Sequence, residues 1–164
     1  AIAHALFLTK QLKVTTVRLF NTVGPRQTGR YGMVVPRFIK SAIKNEPITI
    51  YGDGTQSRVF CHVQDAVKAI LALAATDSAI GEVYNIGGGK DNSVSILEAF
   101  ELIAKISGKP MKYTYLDQNR IGDHICYYSD LKKMKAHYPN WDITKSLEDV
   151  FVDIYTRYME TAQS

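Results

Sequence analysis

Between residues 34 and 43 the apolar positions Val34, Val35, Phe38, Ile39, Ala42 and Ile43 recur at i, i+1, i+4, i+5, i+8 and i+9. That spacing lays them along one face of an α-helix, with Pro36 in the first turn, where the lost N–H has no helical partner to miss. Upstream, residues 1–12 read as a helix that begins without a Ser, Thr, Asp or Asn cap, as though the chain opened inside an element. The β-branched run VTTVRLF, 14–20, predicts a buried strand, and NTVGPRQTGRYG a loop. ITIY predicts a short strand. Asp65 then caps a helix whose apolar face would be Ala66, Val67, Ile70, Leu71 and Ala74. EVYNI is a further strand, and Gly87, Gly88 and Gly89 form a turn before the next helix. Ser95 with Glu98 makes a capping box for a helix over 96–107, closed by Gly108. MKYTYL predicts another strand, and Ser129 or Asp130 the start of a short helix. Leu147, Val150, Ile154, Tyr155 and Tyr158 stripe the last helix.

Strands alternate with helices, so the fold class is α/β. With 164 residues, 46% apolar and 22% charged, the chain has the make-up of one soluble domain of ordinary size. No apolar run approaches the ~20 residues of a membrane span, and the N-terminus has no signal-peptide pattern. A cytoplasmic protein without membrane partners is the expectation. Cys61 and Cys126 form no CxxC pair and read as two buried reduced thiols. His4, His62, His124 and His137 show no metal-ligand spacing, so no metal is expected. The net charge of +4 favours anionic ligands. Without a Lys/Arg run or basic-aromatic alternation, nucleic acid is not expected.

The chemistry concentrates in YGDGTQSRVFCHVQD, 51–65, where a Gly-Asp-Gly turn is followed by Arg58. Arginine suits phosphate because its planar fork donates two hydrogen bonds and stays charged. His62 reads as a brace for the turn through a backbone hydrogen bond and not as a catalytic base. Trp141 and the tyrosines of the last helix read as core.

RLFNTVGPRQ, PITIYGDGTQSRVFCHVQDAV, EVYNIGGG and NRIGDH, taken in order, resemble the C-terminal half of extended short-chain dehydrogenases/reductases. More narrowly they resemble the NAD-dependent sugar-nucleotide epimerases and dehydratases, which include UDP-glucose 4-epimerase, UDP-glucuronate decarboxylase and CDP-paratose 2-epimerase-like proteins. The resemblance implies the back part of a Rossmann-like fold with a small substrate-binding subdomain. Residues 1–32 would be the tail of the dinucleotide-binding domain, and 33–164 mainly the sugar-nucleotide region with returning Rossmann elements.

The resemblance also implies the site. Arg58 and Arg120 would clamp the substrate diphosphate, Asp123 would accept from ribose hydroxyls, and Asn21 would touch the diphosphate. Tyr51 would lie beside the nucleobase without choosing uracil over cytosine. Phe20 and Val23 would form part of the nicotinamide wall of an NAD site, and Gln27 to Gly32 a segment over the sugar. The resemblance places the family's Gly-rich cofactor loop and catalytic Tyr-x-x-x-Lys pair ahead of residue 1, and the spacing at Tyr128 and Lys132 falls beyond NRIGDH, at the wrong place for that pair. No catalytic residue is assigned, and the chain alone is expected to be inactive. The parent reaction would be hydride abstraction by NAD⁺, a keto-sugar intermediate and re-reduction: epimerisation of a UDP- or CDP-hexose. Dehydration and decarboxylation are the alternatives within the family. A non-catalytic, self-associating fragment is the alternative outside it. A homo-oligomer, a dimer in the family, is expected through the first helix.

Overall fold

The computed structural model describes residues 2–28, 34–117 and 126–162. The chain opens with α1 (Ile2–Lys10) and continues into β1 (Thr16–Leu19) and β2 (Thr22–Val23). Next come α2 (Val34–Lys44), β3 (Ile48–Tyr51), β4 (Ser57–Val59), β5 (Cys61–His62) and α3 (Val63–Ala74). A short 3-10 turn at Asp77–Ala79 leads to β6 (Val83–Ile86), β7 (Ser93–Ser95) and α4 (Ile96–Ser107). The order closes with β8 (Tyr113–Leu116), β9 (Cys126–Tyr127), α5 (Lys132–His137) and α6 (Leu147–Ala162). The class is α/β.

Parallel pairing dominates. β1 runs beside β6 from Thr16↔Val83 to Leu19↔Ile86, β2 beside β5, and β3 beside β8. β4 is the exception, antiparallel to β7 on one side and parallel to β9 on the other.

Two apolar cores hold these elements. The first joins Phe38 and Ile39 of α2, Ile50 of β3, Phe100 and Ile103 of α4, and Phe151 and Ile154 of α6. Phe38 and Phe100 meet edge to face at 4.7 Å, a favoured aromatic geometry. The periodic stripes expected of α2 and α6 are the faces buried here: Val35, Phe38, Ile39 and Ala42 in one, Val150 and Ile154 in the other. The second core gathers Cys61, Ala66, Ala69, Leu73, Tyr84, Ile86, Met134 and Trp141.

The capping box of α4 forms as expected. Ser95 Oγ accepts from the Glu98 N–H at 3.1 Å, and Glu98 Oε2 accepts from the Ser95 N–H at 2.7 Å. Gly108 closes the helix in the left-handed conformation at φ 68°.

Several expectations are corrected. β1 is shorter than 14–20 and is not buried: β6 is its one neighbour among the described strands, and Leu19 is 52% exposed. α3 is capped by His62 and not by Asp65. His62 Nδ1 accepts from the Gln64 N–H at 3.2 Å, the N-cap geometry. Asp65 sits one turn inside and is fully buried. Its carboxylate accepts from the Thr144 and Lys145 backbone N–H groups at 2.9 and 3.1 Å and from the Thr144 hydroxyl. This anchor turns Asp65, Ala66, Ala69 and Leu73 inward, so most of the expected apolar stripe faces outward, with Leu71 63% exposed. α5 starts at Lys132, because Asp130 Oδ1 accepts from the Lys132 N–H just ahead of the helix. Cys126 is exposed, being the first residue of the edge strand β9, whereas Cys61 is buried.

Candidate anion-binding cleft

β3 alternates in burial. Ile48 and Ile50 enter the core and Tyr51 stands half-buried at the strand's end. The chain then reverses through Gly52-Asp53-Gly54. Gly54 takes φ 79°, a conformation open to glycine and strained for other residues. Asp53 Oδ1 accepts from both the N–H and the hydroxyl of Thr55, at 2.9 and 2.8 Å, so the turn is tied by its own aspartate. Those bonds hold the Asp53 carboxyl below its usual range. Gln56 Nε2 then reaches back to the Tyr51 carbonyl at 3.0 Å. The loop is thereby closed, and Arg58 enters the middle of β4, opposite Val94 of β7 and Tyr127 of β9. One guanidinium nitrogen of Arg58 donates to the Ser57 carbonyl at 2.7 Å.

From the other side comes the end of β1. The Phe20 N–H donates to the Ile86 carbonyl at 2.8 Å, and the chain turns at Asn21 with φ 40°. Asn21 is one of the few residue types that tolerate this region, since its short polar side chain bonds locally. The Cys61 N–H donates to the Asn21 carbonyl at 3.2 Å and leads β2 alongside β5.

Between these walls lies a cavity of about 300 Å³. Asn21, Thr22, Val23 and Gln27 form one side, Val34, Arg37 and Phe38 of α2 another, and β3 with Gln56, Arg58, Phe60 and Ile96 the rest. The charged residues on this described lining are Arg37 and Arg58, with no carboxylate among them. The apolar surroundings lower the local dielectric and strengthen that positive field. Asn21 Oδ1 accepts from the Tyr127 hydroxyl at 3.3 Å, while Asn21 Nδ2 is buried with no hydrogen-bond partner among the described residues. A buried unsatisfied donor costs about 1–3 kcal/mol, a deficit that an acceptor in the cavity would remove.

A second cleft of about 600 Å³ shares Thr22, Val23 and Gln27 and adds Gly24, His62, Gln64 and Asp153. His62 is 1% exposed, and its Nε2 lies 3.6 Å from Asp153 Oδ2, beyond hydrogen-bond length. Burial pushes the His62 pKa down, against the pull of Asp153. Asp153 in turn pairs with Lys145 at 3.0 Å.

Of the residues singled out in the sequence, Asn21, Val23, Tyr51 and Arg58 come together on the first cavity. Phe20 is half-buried and packs on Tyr127, ring centroids 5.6 Å apart. Arg120, Asp123 and His124 lie outside the described residues, as does the 29–33 part of the expected sugar-facing segment. Arg37, Gln56 and Tyr127 were not singled out. Gln56 lies inside the turn motif 51–65, two residues before Arg58. Arg37 lies on the polar side of α2 and Tyr127 in a two-residue strand, where no periodicity marks them. Among the described residues, no three His, Cys, Asp or Glu side chains are grouped to hold a metal, and no helix is long and apolar enough to cross a membrane.

Residues 1–87 match the model of the NAD dependent epimerase/dehydratase family. A UDP-N-acetyl-alpha-D-glucosaminuronate decarboxylase of Bacillus cytotoxicus is 38% identical over 69% of the chain and 35% of its own length. A UDP-glucuronate 4-epimerase of Thermodesulfobacterium geofontis is 35% identical over 84% of the chain and 41% of its own. The crystal structure of a UDP-glucuronic acid 4-epimerase from Bacillus cereus, in complex with UDP-glucuronic acid and NAD, aligns with a TM-score of 0.86 at 32% identity. That alignment covers 98% of this chain and 49% of the other. The chain thus spans about half the length, or less, of these relatives.

Proposed function

As the chain belongs to the NAD dependent epimerase/dehydratase family, we propose that its cavity binds the nucleoside diphosphate of a nucleotide sugar. The observation that carries this reading is the lining of the cavity: among the described residues, two arginines, no carboxylate, and an Asn21 amide nitrogen without a hydrogen-bond partner. Arg58, set centrally in its sheet, neutralises the diphosphate, with Arg37 at the rim. Asn21 donates to a phosphate oxygen, and Tyr51 flanks the base. Arg120 and Asp123 complete the clamp and the ribose contact. The ligand is a UDP- or CDP-hexose, and the relatives named for UDP-sugars favour UDP.

NAD is the cofactor of the whole enzyme. The carboxyl ends of parallel β1 and β6 lie beside exposed Leu19 and half-buried Phe20, an uncharged apolar wall that fits a flat nicotinamide ring. When bound there, NAD supplies the hydride acceptor. This chain's part is to bind and orient the sugar nucleotide for epimerisation. Decarboxylation is the second reading, favoured by the 38% identity to a decarboxylase. Self-association through α1 belongs to the same proposal. No residue of α1 is buried, and Ile2 is 79% exposed, so light scattering across a concentration series should show a species larger than 18.4 kDa.

Calorimetric titration with UDP, CDP and uridine tests the site. UDP should bind at least tenfold more tightly than uridine, since two phosphates engage the arginines. Equal affinity for UDP and uridine would overturn the proposal.

A further inference from the structure

Tyr127 ties together two groups that the nucleotide reading uses separately. Its backbone lies in β9, in register with Arg58 of β4. Its ring packs against Phe20 at 5.6 Å and a 38° tilt. Its hydroxyl donates to Asn21 Oδ1 at 3.3 Å, across 106 residues of sequence. Asn21 is held by the chain at φ 40°, with its Nδ2 buried at the cavity wall and without a partner among the described residues.

These facts define a relay. An asparagine amide is nearly symmetric in shape, so its plane and the end it presents depend on what its oxygen meets. The tyrosine hydroxyl fixes the oxygen, and that leaves the N–H end for the cavity. A hydrogen bond accepted at the oxygen also polarises the amide and makes its N–H a better donor, as in any hydrogen-bonded chain.

We propose that Tyr127 is a positioning residue: it holds the Asn21 amide with its nitrogen toward the ligand and acts on the ligand through Asn21. This rests on the reading of the cavity as a nucleoside diphosphate site. Tyr127 also fixes the spacing between Asn21 and Arg58, since its backbone is registered to one and its side chain to the other.

The test is UDP titration of the wild type, Tyr127→Phe, Asn21→Gly and the double variant, with thermal midpoints and a ¹⁵N spectrum of the side-chain amides. Glycine tolerates the positive φ of Asn21, and phenylalanine keeps the packing on Phe20. Tyr127→Phe should weaken UDP binding about three- to tenfold, the loss of one neutral hydrogen bond, while keeping a cooperative thermal transition. In the Asn21→Gly background it should cause no further loss. A Tyr127→Phe protein that binds UDP like the wild type, or an equal loss with and without Asn21, would overturn the relay. Failure of the wild type to bind UDP would overturn the nucleotide reading instead. In that event the Asn21 side-chain amide resonances still decide: a shift on Tyr127→Phe supports positioning, and unmoved resonances sink it.

Discussion

The buried carboxylate of Asp65 accepts the backbone N–H of Thr144 at 2.9 Å and its hydroxyl at 2.6 Å. Burial alone would raise the Asp65 pKa, but these bonds, with those from Lys145 and Lys68, more than reverse it and hold it low. Asp65→Ala would remove the carboxylate that the N–H groups of 144 and 145 and the Thr144 hydroxyl share, and leave a cavity at the buried position 65. We expect a loss of about 3 kcal/mol in stability, read from urea unfolding, the scale of removing a hydrogen-bonded buried charge. A loss below about 1 kcal/mol would show that water replaces the carboxylate.

His62 caps α3 only while neutral at Nδ1, because the capping atom must accept. Asp153, Lys145, Asp65 and Asp149 bear on the ring, yet burial wins and the folded pKa lies below the unfolded 6.5. As pH falls, the unfolded chain takes up the proton first. The stabilisation is therefore complete above about pH 6.5 and lost as the pH drops toward and through the lowered folded value. Urea midpoints should fall between pH 7 and 5, and His62→Asn, which can still cap, should flatten that slope.

Arg58→Ala should weaken UDP binding by about 1.5–3 kcal/mol, roughly 10- to 150-fold, without lowering the thermal midpoint much. The backbone of β4, not the guanidinium, makes the sheet bonds. Arg58→Lys should recover part of the affinity, since the charge returns without the fork. Calorimetry with unchanged affinity for Arg58→Ala would remove Arg58 from the site.

Gly88 lies against backbone. A Cβ there would come 2.1 Å from the Phe60 carbonyl oxygen, a contact that no rotamer change relieves. Gly88→Ala should cost at least about 2 kcal/mol by overpacking, visible as a lowered thermal midpoint. Gly108→Ala offers the contrast: nothing lies within 4 Å, so its smaller cost would come from φ alone.

The two thiols should separate by reactivity. Burial raises the Cys61 pKa to about 12, with Asp65 adding to it, and Cys126 is open at the sheet edge. Titration with a thiol-specific disulfide reagent at pH 8 should label Cys126 quickly and Cys61 only on unfolding. Equal rates would contradict the burial of Cys61.

The helices were legible wherever burial follows periodicity. The stripes of α2 and α6 and the box at Ser95 and Glu98 express local rules that the tertiary structure leaves alone. α3 was misread because a single long-range anchor, Asp65 to Thr144, rotates it, and no local pattern encodes a partner 79 residues away. The strands β4, β5, β7 and β9 run two or three residues, too short for alternation to show. Four residues of the cavity lining, Asn21, Val23, Tyr51 and Arg58, were found through motif resemblance and not through periodicity. Tyr127 matters through a contact across 106 residues, which one sequence does not display.

The three-residue strand β4 is locked in register on both edges. Side chains along a strand alternate between faces, so a shift of one place would turn Arg58 out of the cavity and bring Ser57 or Val59 in. An inserted or deleted codon between Gln56 and Val59 would therefore erase the positive charge at this point while leaving composition and net charge nearly untouched. The tolerance of this gene to length changes should drop to nothing at β4, whatever freedom the neighbouring turn enjoys.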